Sequence, residues 1–290
     1  MKIKNILIFI LLTFYTFLYA DESLKVPVVV PLQWLKNHYN DSRLVIIDVR
    51  KRELYKKGHL KHAVNIPAFE DLFDKNYMIP KLSFLKELFS NAGIDNNSAV
   101  VVYGGKVPIW AARFYWIGEV LGLDNVGILK VSYGNWKKGE LPVSTKIFKP
   151  KKKNFVPKID NSKMETELST LVSIGKKIII DGRPKSFYMG LKSHAKRFGH
   201  IPTAINYPGS LTYMSQTKGS TVKTFKELAK LYKNLPKNKK IILYCEDGAD
   251  AAMNFLILQK LGYKVSVYDG SWLEWGNNPN LPYVNPSKKH

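Results

Sequence analysis

Two halves of this chain carry the same ordered set of segments. Leu44-Val45-Ile46-Ile47-Asp48 followed by Val49-Arg50 is answered by Lys177-Ile178-Ile179-Ile180-Asp181 followed by Gly182-Arg183. Gly58-His59-Leu60, leading to Asn65-Ile66-Pro67, is answered by Gly199-His200-Ile201, leading to Asn206-Tyr207-Pro208. The runs Ala99-Val100-Val101-Val102-Tyr103 and Lys240-Ile241-Ile242-Leu243-Tyr244 then read as strands buried on both faces of a parallel sheet. After each comes a loop and a segment of apolar helical spacing, 109–121 and 249–261, closed by Gly122 or Gly262 in a position that ends many helices. A further strand follows in each half, at 126–129 and 264–268. Strands alternating with helices of about a dozen residues predict an α/β fold of βαβ units with mainly parallel sheets flanked by helices. The duplication predicts two such domains in tandem, 25–144 and 161–285, joined by a Lys- and Pro-rich linker at 145–160.

With 290 residues and 45% apolar composition, the chain can fill two cores of that size and is not wholly disordered. Cys245 is its only cysteine, which excludes a disulfide scaffold. Lys2 and Lys4, the apolar run from Ile6 to Leu18, and Ala20 have the layout of a secretory signal over residues 1–20, predicting an exported, periplasmic protein. That run is short for a membrane span of about 20 residues. Without the signal, 43 basic residues face 23 acidic ones, a charge of +20. The lysines are scattered, their only dense run is Lys149 to Lys153, and no zinc-finger, helix-turn-helix or RNA-binding pattern accompanies them. The charge therefore predicts no specific nucleic acid, only a weak attraction to anionic envelope surfaces.

Cys245 stands where a buried strand ends, and Gly248 permits a tight loop into the following helix. Ligands of parallel sheets bind beyond the carboxyl ends of the strands, and the N–H groups of such a loop favour a thiolate. From position alone, a buried structural cysteine fits equally well. A Cys-x5-Arg phosphatase does not fit, because the sixth residue after Cys245 is Ala251.

The motifs carry the reading further. The Asp-x-Arg after the first strand of each half, the two Gly-His segments, Tyr244-Cys245 and the string Tyr268-Asp269-Gly270-Ser271-Trp272 with Glu274-Trp275-Gly276 occur in one order. By these residues the chain resembles the tandem-rhodanese sulfurtransferases, the thiosulfate and 3-mercaptopyruvate family, over nearly all its length after the signal. The resemblance implies a non-catalytic first domain and a catalytic second one. It implies that Cys245 takes sulfane sulfur from a small donor as a persulfide and passes it to a thiol or cyanide-like acceptor, with no cofactor. Glu246, Asp247, Gly248, Ala249 and Asp250 are then the active-site loop. Gly104 falls at the matching place of the first half, which lacks a nucleophile there. Asp181 and Arg183 read as a pair tying strand-end loops, His200 and His59 as donors to loop backbone, and Trp272 and Trp275 as pocket wall or packed closure. No metal-ligand spacing and no Gly-rich phosphate motif is present.

The loop departs from the family. Members that use thiosulfate carry two basic residues after the cysteine, and those that use mercaptopyruvate carry small neutral ones; here stand Glu246 and Asp247. The family's arginine four residues beyond the Asp-x-Arg falls on Phe187. A helix N-terminus contributes about 0.3–1 kcal/mol to an exposed anion. One carboxylate ~5 Å away costs an anion roughly 3 kcal/mol at an effective dielectric of 20. If the carboxylates face inward, thiosulfate binds poorly, unless Lys185, Lys192, Lys196 or Arg197 compensates. The alternative is a non-enzymatic rhodanese-fold binding or sulfur-carrier protein with a repurposed acidic loop.

Overall fold

The computed structural model describes residues 24–135 and 140–288; the signal expected at 1–20 lies outside them. In chain order the first half carries β1 (Val29–Val30), β2 (Leu44–Asp48), β3 (His59–Leu60), β4 (Ala63–Asn65), β5 (Ala99–Tyr103), β6 (Val126–Leu129) and β7 (Val143–Ser144). The second half carries β8 (Met164–Glu165), β9 (Ile178–Asp181), β10 (Ile205–Asn206), β11 (Tyr213–Gln216), β12 (Gly219–Val222), β13 (Ile241–Tyr244) and β14 (Val265–Tyr268). Two five-stranded sheets result, in the order β4-β2-β5-β6-β1 and β10-β9-β13-β14-β8, with every pairing parallel. The two orders are the same when corresponding segments are matched. The α/β fold and its duplication are thus as expected.

The β-branched runs of β5 and β13 are central in their sheets and buried at every residue. Each leads into a helix, Ile109–Val120 or Ala249–Lys260, whose side chains are apolar nearly all round. A helix without a polar face must be covered on both sides. Here one side lies on the helix's own sheet and the other on its counterpart, so that a single hydrophobic core runs from Ile47 and Phe114 through to Leu256 and Val267. At its edge Tyr115 donates to Gln259 Oε1 at 2.9 Å, and Gln259 donates to Glu119 Oε2 at 2.9 Å. Lys163 completes the set with a 2.7 Å bond to Glu119 Oε2.

Further links tie the halves. The β11–β12 hairpin lies against the first domain, where Ser132 N–H donates to Ser220 O at 3.0 Å and Val222 N–H to Lys130 O at 2.9 Å. The segment 145–160 runs along the first domain, with Phe155 buried and Lys158 N–H donating to Leu121 O at 2.8 Å.

Candidate active site

Cys245 is the first residue beyond β13, at the carboxyl end of the central strand, and is 1% exposed. Its Sγ accepts a hydrogen bond from Gly248 N–H at 3.1 Å and lies 3.8 Å from Asp247 Oδ1, to which the thiol donates. Gly248 adopts a left-handed φ of 89°, the turn that brings its amide back over the sulfur before the helix begins. The loop is held from outside by the helix Ser271–Trp275. Cys245 N–H donates to Ser271 Oγ at 3.2 Å, Trp272 N–H to Cys245 O at 2.9 Å and Leu273 N–H to Glu246 O at 3.0 Å. This is what the Gly-Ser-Trp string does: it is a clamp on the cysteine loop.

The two carboxylates after the cysteine point in different directions. Glu246 turns to Arg183, with Oε2 3.5 Å from Nη1, and its Oε1 accepts from His194 N–H at 3.2 Å. Asp247 turns inward, accepting from Ala249 N–H at 3.1 Å beside the thiol. Asp250, on the first turn of the helix, packs against Gly209, where a Cβ would meet its Oδ1 at 2.5 Å. Burial pushes the Asp250 carboxyl up to about 7, with Asp247 and Asp181 adding to the shift. Burial likewise raises Glu246, against the pull of Arg183. The Cys245 thiol stands well above its ordinary value, because burial, then Asp247 and Asp250, outweigh the backbone amides that favour the thiolate. The positive potential of the loop is present but does not prevail.

The supporting residues fall into place beside their first-domain counterparts. Arg183 Nη2 donates to Asp181 Oδ2 at 2.6 Å and to Gly199 O at 2.6 Å; Arg50 makes the same bonds to Asp48 at 2.6 Å and Gly58 O at 2.7 Å. Tyr244 and Tyr103 donate to those aspartates at 2.8 and 2.7 Å. Although burial opposes the Arg183 cation, Asp181 and its hydrogen bonds carry its pKa above the ordinary value. His200 stacks on Tyr188 and bonds Tyr188 O through Nδ1 at 2.8 Å, as His59 bonds Tyr55 O at 2.7 Å. Burial lowers the pKa of His200. The first domain holds this whole arrangement without a nucleophile, so it is scaffold; only Arg183 also reaches the loop, through Glu246.

Trp272 is buried, with Nε1 directed to Ser193 Oγ and Arg197 O, each at 3.2 Å. Phe187 meets His194 edge-on at 5.2 Å, and His194 lies against Glu246. Arg197 is committed to the carbonyls of Gly276 and Leu281 and to the Tyr283 ring, not to the loop. Lys185, Lys192 and Lys196 are exposed.

Sequence reasoning missed the residue that reaches the loop from the other domain. Arg113 projects from the helix Ile109–Val120, is wholly buried, and donates through Nη1 to Asp269 Oδ1 at 2.5 Å. A Cβ on Gly248 would stand 2.6 Å from the same Nη1. The signal was present: Arg113 is the one basic residue in the otherwise apolar stretch Ile109 to Ile117.

Residues 31–139 and 164–278 each match the rhodanese-like domain family. The chain belongs to the rhodanese family. Over 272 residues it is 31% identical to a thiosulfate sulfurtransferase of Corynebacterium glutamicum, covering 88% of this chain and 89% of that protein. It is 30% identical to the sulfur carrier protein TtuD of Thermus thermophilus, over 88% of this chain and 95% of TtuD. Among solved structures, the Escherichia coli 3-mercaptopyruvate sulfurtransferase SseA superposes with a TM-score of 0.74 at 25% identity, covering 85% of this chain and 99% of SseA. These relatives put the rhodanese protein in the sulfurtransferase class.

Proposed function

We propose that this rhodanese protein is an exported sulfurtransferase that moves sulfane sulfur from a small donor to a thiophilic acceptor through a persulfide on Cys245. The observation that carries the reading is the placement of the chain's single cysteine. Its sulfur sits under a backbone amide at the carboxyl end of the central strand of the second domain, while Gly104 occupies that place in the first. The Cys245 thiolate attacks the outer sulfur of the donor. A new S–S bond forms as the donor's S–S or C–S bond breaks, and the leaving group departs with the electron pair: sulfite from thiosulfate, an enolate from 3-mercaptopyruvate, a thiolate from an organic persulfide. An acceptor thiolate or cyanide then attacks the outer persulfide sulfur and returns the Cys245 thiolate. Gly248 N–H holds the sulfur in line for both displacements. No step requires a cofactor.

The test is intact-mass measurement after incubation with thiosulfate, 3-mercaptopyruvate or an organic persulfide. The expected result is a gain of one sulfur atom that disappears in Cys245→Ser. A second reading, a binding or sulfur-carrier protein, is favoured by the buried, high-pKa thiol and by Phe187 in the arginine's place. It predicts no turnover of any donor–acceptor pair, with or without an adduct. Export rests on the basic-then-apolar start, and N-terminal sequencing of the protein from a periplasmic fraction should begin at Asp21.

A further inference from the structure

Among the described residues, Arg113 and Asp269 form the most enclosed ion pair that crosses the two domains, with side-chain exposures of 0% and 3%. Asp269 Oδ2 is also bonded by Ile79 N–H of the first domain at 2.5 Å. The guanidinium lies between the Phe73 ring, 4.4 Å from Cζ, and the Trp116 ring, 4.8 Å away, so its plane is fixed. Its Nη2 is buried without a hydrogen-bond partner among the described residues, although unpaired buried donors are rare in folded proteins. The open side of Gly248 faces both members of the pair, Arg113 Nη1 at 2.6 Å and Asp269 Oδ1 at 3.5 Å from a Cβ position. Gly248 in turn carries the amide that holds the Cys245 sulfur.

We propose that Arg113 of the non-catalytic domain is a positioning residue for the cysteine loop and the cation that neutralises Asp269 beside it. The inference rests on Cys245 being the reactive group. It assigns the first domain a part in setting the thiol, with Asp269 as its relay. Asp247 and Asp250 act directly on the Cys245 thiol; beyond them stand Glu246, tied to Arg183 and facing His194, Asp181, which acts on Asp250, and the pair Arg113–Asp269 against Gly248, with Glu274 near Asp269. Of these, Arg113 and Arg183 are the cations, and Arg183 is already engaged by two carboxylates.

A pair of substitutions separates this role from a merely structural one, because the two must act in opposite directions. In Arg113→Met, Asp269 stands uncompensated at the loop and the thiolate is disfavoured. In Asp269→Asn, the carboxylate charge goes and the arginine remains, so the thiolate is favoured. Alkylation of the single cysteine by iodoacetamide, followed by intact mass at one mildly alkaline pH, reads thiolate availability without any sulfur donor. It should slow in Arg113→Met and quicken in Asp269→Asn, each by about tenfold, the equivalent of one pKa unit. Thermal melts of both variants record the loss of the ion pair itself. Rates unchanged from the parent protein, or moving the same way in both variants, overturn the proposal. Because the readout is alkylation, a protein that takes sulfur from no donor would refute the sulfurtransferase reading and leave this result standing. Should Arg113→Met not fold, an unchanged or slower rate in Asp269→Asn is sufficient to overturn it.

Discussion

Within the loop, neighbouring carboxylates of one charge do different things. Glu246 is spent on Arg183 and His194, while Asp247 lies beside the sulfur, so charge alone does not describe the loop. Asp247→Asn should therefore raise the rate of sulfur loading from thiosulfate, an effect that shrinks as salt rises, while Glu246→Gln should change it little. Loading rates at two ionic strengths check this, and equal effects of the two substitutions would contradict it. Asp250 gives a second expectation, in stability. Its folded-state pKa of about 7 exceeds that of an ordinary carboxylate, so the folded protein holds this proton more tightly than the unfolded chain does. The linked stability is present in full below the ordinary carboxylate range and is lost as pH rises through about 7. Asp250→Asn should melt above the parent protein beyond that pH, by the equivalent of about 1–3 kcal/mol, and converge with it in acid.

At the level of elements, the tight turn between β13 and the helix Ala249–Lys260 is the point of least tolerance. Gly248→Ala would force a side chain into a left-handed φ, costing about 1–2 kcal/mol, and would drive its Cβ against Arg113. The expected outcome is a lowered melting temperature together with slower sulfur loading, since the displaced amide is the one on Sγ. The elements themselves were legible in the sequence. The apolar runs that predict buried strands are β2, β5, β9 and β13, and helix-period spacing marks the two interface helices. The repeated motifs were legible as pattern but not as bonds. Asn206 Nδ2 bonds Asp181 O and Arg183 O at 3.0 and 2.8 Å, and Asn65 repeats this at Asp48 O and Arg50 O, at 2.8 and 2.9 Å. Both halves share these bonds and differ at the loop, where Gly104 stands in one and Cys245 in the other. The direction of Glu246 and Asp247 was not legible, because it depends on Arg183, His194 and Ala249 meeting them in space. Arg113 was hidden for the same reason, lying 156 residues from its partner.

For the molecule as a whole, the shared core makes the two domains one cooperative structure. Thermal unfolding should show one transition, with calorimetric and van't Hoff enthalpies in agreement. Lys163→Met, which strips the cation from the half of the interface network around buried Glu119, should lower stability by about 1–3 kcal/mol without splitting that transition. Two separate transitions would contradict the single core. The first domain's Gly104 bears on how such a molecule arises. A Cβ there would stand 3.3 Å from Val107 O and 3.6 Å from Val49 Cγ2, so any side chain needs the Val107 carbonyl to give by a few tenths of an ångström. In evolutionary terms, the copy without a nucleophile is still exposed to selection through the other, because its helix forms half of the shared core and its arginine touches its twin's loop.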